Sequence, residues 1–166
     1  KAVPGFRRLY TGSPDSIDER FDLVMLVHSL AHVIRPVDVL RLLHARIEEA
    51  GTIFIQTPDT AKSLFYILVA DALTHFSADI LRQAAARAGF SAVVETEGVA
   101  ANELTYLGAR RNEPVAAPVA EDPECILNGV QDNIRWLQRQ IAGARRLSAD
   151  SRSFGIFGSW LPKVSG

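Results

Sequence analysis

The chain has 166 residues, 48% of them hydrophobic, and sets 18 Lys and Arg against 19 Asp and Glu for a formal net charge of −1. That length can bury a real core in one domain, or in one domain and part of a second, and the near-neutral balance excludes a surface built for nucleic-acid phosphates. The single Cys125 excludes an intrachain disulfide and a Cys-rich metal site, and the longest apolar run, Leu64 to Ala70, is too short to span a bilayer. No secretory segment stands behind a basic start, so the expectation is a soluble, cytoplasmic α/β protein with no membrane partner. The chain opens at Lys1 without Met and closes at Gly166 soon after a strand-like run, so both ends read as cuts in a longer polypeptide.

Phe6 to Tyr10 predicts a short strand, followed by the turn residues Thr11-Gly12-Ser13-Pro14-Asp15. Phe21 to Val27 (FDLVMLV) is an apolar run interrupted only by Asp22, which fits a strand buried on both faces of a parallel sheet. Pro36 suits the first turn of a helix whose apolar face is Val37, Leu40, Leu43, Ala45 and Ile47, with Gly51 as its C-cap. Thr52 to Gln56 predicts a second strand, stopped by Thr57-Pro58-Asp59. Thr60 to Asp71 reads as helical, and Ser77 is the N-cap of a helix from Ala78 to Ala88 that ends at Gly89. Ala92 to Glu95 and Glu103 to Ala109 are two further strands, and the short link Gly98 to Asn102 allows a hairpin with an antiparallel edge strand. This succession predicts a layered α/β sheet with right-handed crossovers.

Composition shifts at Arg110: Arg111 to Asp122 carries two Pro and several Ala and reads as a linker. The expected division is therefore 1–110, 111–122 and 123–166. A long helix opens at Asp122 or Pro123 and runs to about Leu147, with Leu127, Val130, Ile134, Leu137, Ile141 and Ala144 as one apolar seam. That seam packs on its own chain's core, or makes the helix a dimerising or interdomain element. Phe154 to Phe157 begins another strand.

His28 and His32 stand at the end of the first buried strand, and in an open α/β sheet the carboxyl ends of strands border the ligand crevice. Two imidazoles at i and i+4 also suit a metal if that turn is helical, but no third-ligand pattern accompanies them. The plainer reading makes one a helix cap and the other a satisfied core residue. His75, just ahead of a helix N-terminus, is a candidate general base, against the alternative of a loop His bonded to backbone. Asp59 and Asp71 read as turn and cap carboxylates, and Trp136 as packing. Ser29 lacks the GxSxG context of a serine hydrolase. No GxGxxG and no P-loop pattern occurs, and Gly155-Ile156-Phe157-Gly158 is not continued by a clear helix.

The string FDLVMLVHSLAHVIRPVDVLRLLHARIEEAGTIFIQTPD resembles the second half of a class I S-adenosylmethionine-dependent methyltransferase. Members typically carry a strand of the FDLV type, a segment like HVLEHV followed by Asp-Pro, a Gly-Gly before a strand ending in Pro, then His…Phe-Ser and Ala-Gly-Phe. The counterparts here are Phe21–Val24, His28–Val33 with Arg35-Pro36, Ala50-Gly51, Thr57-Pro58, His75-Phe76-Ser77 and Ala88-Gly89-Phe90. The likeness covers about residues 6–110. The tail, a long helix and then SFGIFGSW, is similar to the extra α/β module that follows the catalytic domain in some C-methyltransferases.

The resemblance implies a Rossmann-like sheet without its first strands, followed by the long helix and the start of a second α/β module. It implies S-adenosylmethionine as cofactor, a small-molecule acceptor and no metal. Thr11, Gly12 and Ser13 would then lie near the adenine, Val27, His28 and Ser29 near the methionine moiety, and His32 and His75 on the substrate side. The family's Gly-rich loop and the acidic residue that ends its second strand have no counterpart here, and Ala31 stands where a Glu is often found. The transferred methyl leaves a sulfonium whose positive charge disappears, so catalysis is mainly alignment of the nucleophile and exclusion of water. A His at the crevice that removes the nucleophile's proton is worth about 10²–10⁴-fold. Two other classes compete with this. One is a non-catalytic methyltransferase-like scaffold that assembles, for instance as a homodimer, through the 123–147 helix; the other is a nicotinamide oxidoreductase, which the missing dinucleotide fingerprint disfavours.

Overall fold

The computed structural model describes residues 5, 7–97, 100–113, 115–116 and 122–150. The chain divides into two compact units, Lys1–Ile126 and Leu127–Gly166. In the first, Phe21–Val27 forms β1 and Ile47–Pro58 forms β2, joined through α1 (Pro36–His44). The two strands pair in parallel, with Val24 opposite Ile53 and Val27 opposite Gln56, the relation that a helical crossover permits. α2 (Ala78–Arg87), β3 (Phe90–Glu97) and β4 (Glu103–Arg110) follow. The sheet order is β1-β2-β4-β3.

The hairpin between β3 and β4 is present, with Thr96 opposite Thr105. Its antiparallel member is not at the edge, however. β4 also pairs antiparallel with β2, from Thr52 opposite Ala109 to Pro58 opposite Glu103. β4 can occupy an interior place because Leu104 and Tyr106 are buried on the helix-covered face while its backbone bonds on both sides.

The core follows from the two periods. Ile53 and Ile55 alternate onto one face of β2 and meet Leu40 and Leu43 of α1 and Leu81 and Ala85 of α2. α1 starts with Pro36 at its first position, and Asp38 in its first turn pairs with Arg35 at 2.7 Å and Arg41 at 3.2 Å. The amide of Ile80 donates to the Ser77 hydroxyl at 3.3 Å, which is the expected cap of α2.

Several expectations are corrected. β1 is an edge strand, not one buried on both faces: Leu23, Met25 and Val27 are 48, 57 and 48% exposed, while Val24 and Leu26 pack on the core. An apolar run reads the same in sequence whether its second face is covered or open, and within the first unit α1 and α2 pack on the face that carries Val24 and Leu26. α1 ends at His44, and the amide of Arg46 donates to the Leu43 carbonyl at 2.8 Å to turn the chain into β2. Ile47 and Gly51 therefore belong to a strand. Gly51 is a close approach rather than a C-cap, since a Cβ there would meet Ile47 Cγ2 at 2.6 Å and the carbonyls of Asp22 and Glu48 at 3.0 Å.

Residues 60–71 do not form one α-helix. The Asp59 carbonyl accepts from Lys62 and Ser63 at 3.1 and 2.7 Å, and a 3-10 turn over Leu64–Leu68 follows. Phe65, Leu68 and Val69 are exposed, so the segment has no single apolar face to hold a helix down. Residues 7–10 form no strand, their contacts being side-chain ones such as Arg8 with Glu19 at 3.3 Å; Phe6 lies outside the described residues.

The described part of the second unit is the long helix α3 (Pro123–Asp150), which begins just inside the first. Leu127, Ile134 and Ile141 of its seam are exposed. The expected strand at 154–157 and the glycine turn at 155–158 lie outside the described residues. No helix among them is long and apolar enough to cross a membrane.

Candidate functional site

β1 and β2 run parallel and end together, and the residues that continue them collect at that end of the sheet. His28 follows the last residue of β1. Its amide donates to the Gln56 carbonyl at 2.9 Å, and its backbone then turns left-handed at φ +51°, a conformation uncommon outside glycine. Its Nε2 lies 3.0 Å from Oε1 of Glu103, the first residue of β4. Because β4 is antiparallel to β2, its first residue sits opposite the last of β2, Pro58. Asn102, at φ +64°, fixes the turn before it by accepting the Asp59 amide at 3.0 Å. The His28 side chain is 40% exposed and that of Glu103 19%. Among the described residues Oε2 of Glu103 is buried without a hydrogen-bond partner.

A second group lies on the connections that follow β1 and β2. Leu30–His32 is a single 3-10 turn whose buried Ala31 carbonyl accepts from the amides of Leu73 and Thr74 at 2.8 and 3.1 Å. His32 Nδ1 stands 2.9 Å from the Asp71 carbonyl and 3.4 Å from its carboxylate. Burial pushes the Tyr66 phenol up, and the nearby Asp71 charge adds to the shift. The Tyr66 ring meets His75 edge-on at 5.6 Å, and among the described residues His75 Nδ1 is buried without a partner. Phe76 bridges to Asp59, the buried turn carboxylate whose Oδ1 accepts from Ala61 at 3.0 Å.

The sequence-selected residues thus fall into separate places. His28 pairs with Glu103, and His32 and His75 belong to the Tyr66–Asp71 group. Val27 and Ser29 are exposed beside His28. Thr11, Gly12 and Ser13 form an exposed loop before the 3-10 turn Pro14–Ser16, where the Ser13 hydroxyl holds the Asp15 carboxyl below its usual range. No hydrogen bond among the described residues joins that loop to His28 or Ser29. His28 and His32 do not share a helical face, and no three His, Cys, Asp or Glu side chains come together among the described residues. Glu103 was missed by sequence reasoning. The signal for it was the hairpin: a strand returning antiparallel beside β2 must start where β2 ends.

A surface cavity of about 190 Å³ lined by Arg82, Phe90, Ser91 and Tyr106 lies at the opposite end of the sheet, where β3 begins. Parallel sheets bind ligands at the carboxyl ends of their strands, so the His28–Glu103 end remains the candidate site.

No protein-family profile matches the chain, and no curated protein matches it. Solved structures do. A S-adenosylmethionine-dependent methyltransferase from Clostridium acetobutylicum is similar at 10% identity and TM-score 0.52, over 63% of this chain and 65% of that one. CalO1, a methyltransferase in calicheamicin biosynthesis with SAH bound, is similar at 16% identity and TM-score 0.53, over 65% of this chain and 35% of its own. The mitomycin 7-O-methyltransferase MmcR matches at 14% identity and TM-score 0.51, over 60% of this chain and 32% of its own. The chain spans less than two thirds of the length of each. The likeness is one of fold: the chain has a Rossmann-like, class I methyltransferase fold.

Proposed function

We propose that the chain is part of a cytoplasmic S-adenosylmethionine-dependent methyltransferase acting on a small molecule, with His28 as general base. One observation carries the reading: in a sheet of this fold, a strained, half-open histidine backed by a carboxylate stands at the joint end of two parallel strands. Backbone strain of this kind persists where the surroundings over-determine it, and such places cluster at functional sites. The residues fit the cofactor in part. Val27 and Ser29 offer open surface at the tip of β1 for its methionine moiety, and Thr11–Ser13 an exposed loop for its adenine.

The cofactor, when bound, supplies a methyl group on a cationic sulfur. The chain's own residues do the rest. His28 takes the acceptor's proton; His32 and His75 are assigned to the substrate side, a reading supported by the Ala31 carbonyl tying the His32 turn to Leu73 and Thr74, next to His75. Calorimetry with S-adenosylhomocysteine on the full-length parent protein tests the reading. Binding weakened at least tenfold by Val27→Asp is expected, and no heat at millimolar ligand removes it.

A second reading is favoured by the exposed Leu127, Ile134 and Ile141 of α3: a non-catalytic scaffold that assembles as a homodimer through that helix. Sizing of the wild type and Ile134→Asp separates the two. An assembly lost in the variant, together with no S-adenosylhomocysteine binding, supports the scaffold.

A further inference from the structure

We infer that Glu103 is a positioning residue for His28, and that it selects Nδ1 as the ring atom that accepts the proton. The inference rests on the reading of His28 as the base, and the chemistry of the pair leads to it directly. An ionised carboxylate only accepts hydrogen bonds, so an imidazole nitrogen 3.0 Å from Glu103 Oε1 must carry the hydrogen. In the neutral ring that nitrogen is Nε2, and the lone pair is left on Nδ1. Among the described residues nothing bonds to Nδ1.

The rest of the geometry holds the ring in that state. The His28 amide is tied to Gln56 and its φ of +51° aims the side chain away from the ordinary strand direction. The ring's far end is tied to β4, so the histidine is held at both ends across two strands. Glu103 is a poor choice for stability alone. One of its oxygens is buried with no donor among the described residues, a cost that an apolar residue would avoid. A carboxylate that orients an imidazole and then faces the imidazolium gives that cost a use. The proton leaves an O–H or N–H group of the acceptor and bonds Nδ1, while the electron pair stays on the acceptor atom as the nucleophile. The acceptor class is therefore a neutral hydroxyl or amine rather than an already ionised group.

The test is proton-detected 15N NMR of the chain labelled at histidine, at pH 8.5, with Glu103→Leu and Glu103→Ala as variants. The wild type is expected to carry the His28 proton on Nε2, and its exchange with water should be at least tenfold slower than in the variants. A proton on Nδ1 in the wild type, or equal exchange in wild type and a folded variant, overturns the inference. The wild-type assignment decides the matter even if neither variant folds. S-adenosylhomocysteine calorimetry on the full-length parent keeps the two ideas apart: a protected Nε2 proton in the chain without ligand binding by the parent removes the methyltransferase reading, and with it the base role of His28, while the Glu103-imposed tautomer stands.

Discussion

His44 Nε2 lies 2.8 Å from the carbonyl of Arg111 and so ties the last turn of α1 to the residue that follows β4. The Arg111 amide in turn donates to the Gly89 carbonyl at 2.9 Å, and the His44 ring packs edge-on against Phe90 at 5.2 Å. Helix end, hairpin start and hairpin end therefore meet at Gly89. Its φ is +92°, and a Cβ there would fall 2.8 Å from His44 Nε2. Gly89→Ala meets both penalties, backbone and steric, and is expected to cost about 1–3 kcal/mol. Urea denaturation reads this as a lowered midpoint. Adding His44→Ala should recover the steric part only, so the double variant should be less destabilised than the sum of the singles.

Thr57 is fully buried near the end of β2, and among the described residues its Oγ1 has no hydrogen-bond partner. A hydroxyl taken out of water without compensation opposes folding, whereas a methyl of the same size does not. Thr57→Val is therefore expected to raise stability by about 1 kcal/mol. A loss of similar size in the same urea experiment would mean that the hydroxyl is satisfied in solution.

Tyr66 supplies a pH dependence. Burial raises its phenol above the ordinary value, with the Asp71 charge as the smaller cause. The folded protein thus favours the neutral phenol more than the unfolded chain does. That stabilisation is complete below the unfolded value near pH ~10 and is lost as pH rises through the folded value. Tyr66→Phe cannot ionise, so its melting temperature should fall less than that of the wild type between pH 8 and 11. Parallel falls in the two proteins would contradict the assignment.

What was legible in the sequence follows from which signals are local. Ser77 and Gly89 bound α2 because capping is chemistry within one turn, and Phe21–Val27 and the hairpin strands were readable from their apolar runs. The place of His28 directly after the last residue of a parallel strand was legible because it depends on β1 alone. Gly51 misled because a glycine serves a C-cap and a close backbone approach equally well, and only the neighbouring Ile47 and Asp22 distinguish them. Glu103 was invisible for a different reason. Its partner His28 is distant in sequence, and the pairing exists only once β4 is inserted beside β2. A histidine can be located by its own element, but the carboxylate that orients it depends on topology.

The open outer face of β1 gives a prediction that separates its two sides. Met25 lies on the face of β1 opposite α1 and α2 and is 57% exposed, whereas the adjacent Leu26 packs on the core. If that face is free in solution, Met25→Lys loses little packing and places its ammonium in water, at a cost within about 0.5 kcal/mol. Leu26→Lys must either bury a charge or withdraw a side chain from the core, and is expected to cost about 3 kcal/mol or more. Denaturant midpoints of the two variants give the contrast directly. Equal losses at both positions would mean that the Leu23–Met25–Val27 face is covered in solution, by another copy of the chain or another protein. A concentration-dependent midpoint for the wild type that disappears in Met25→Lys would identify a second copy as the cover.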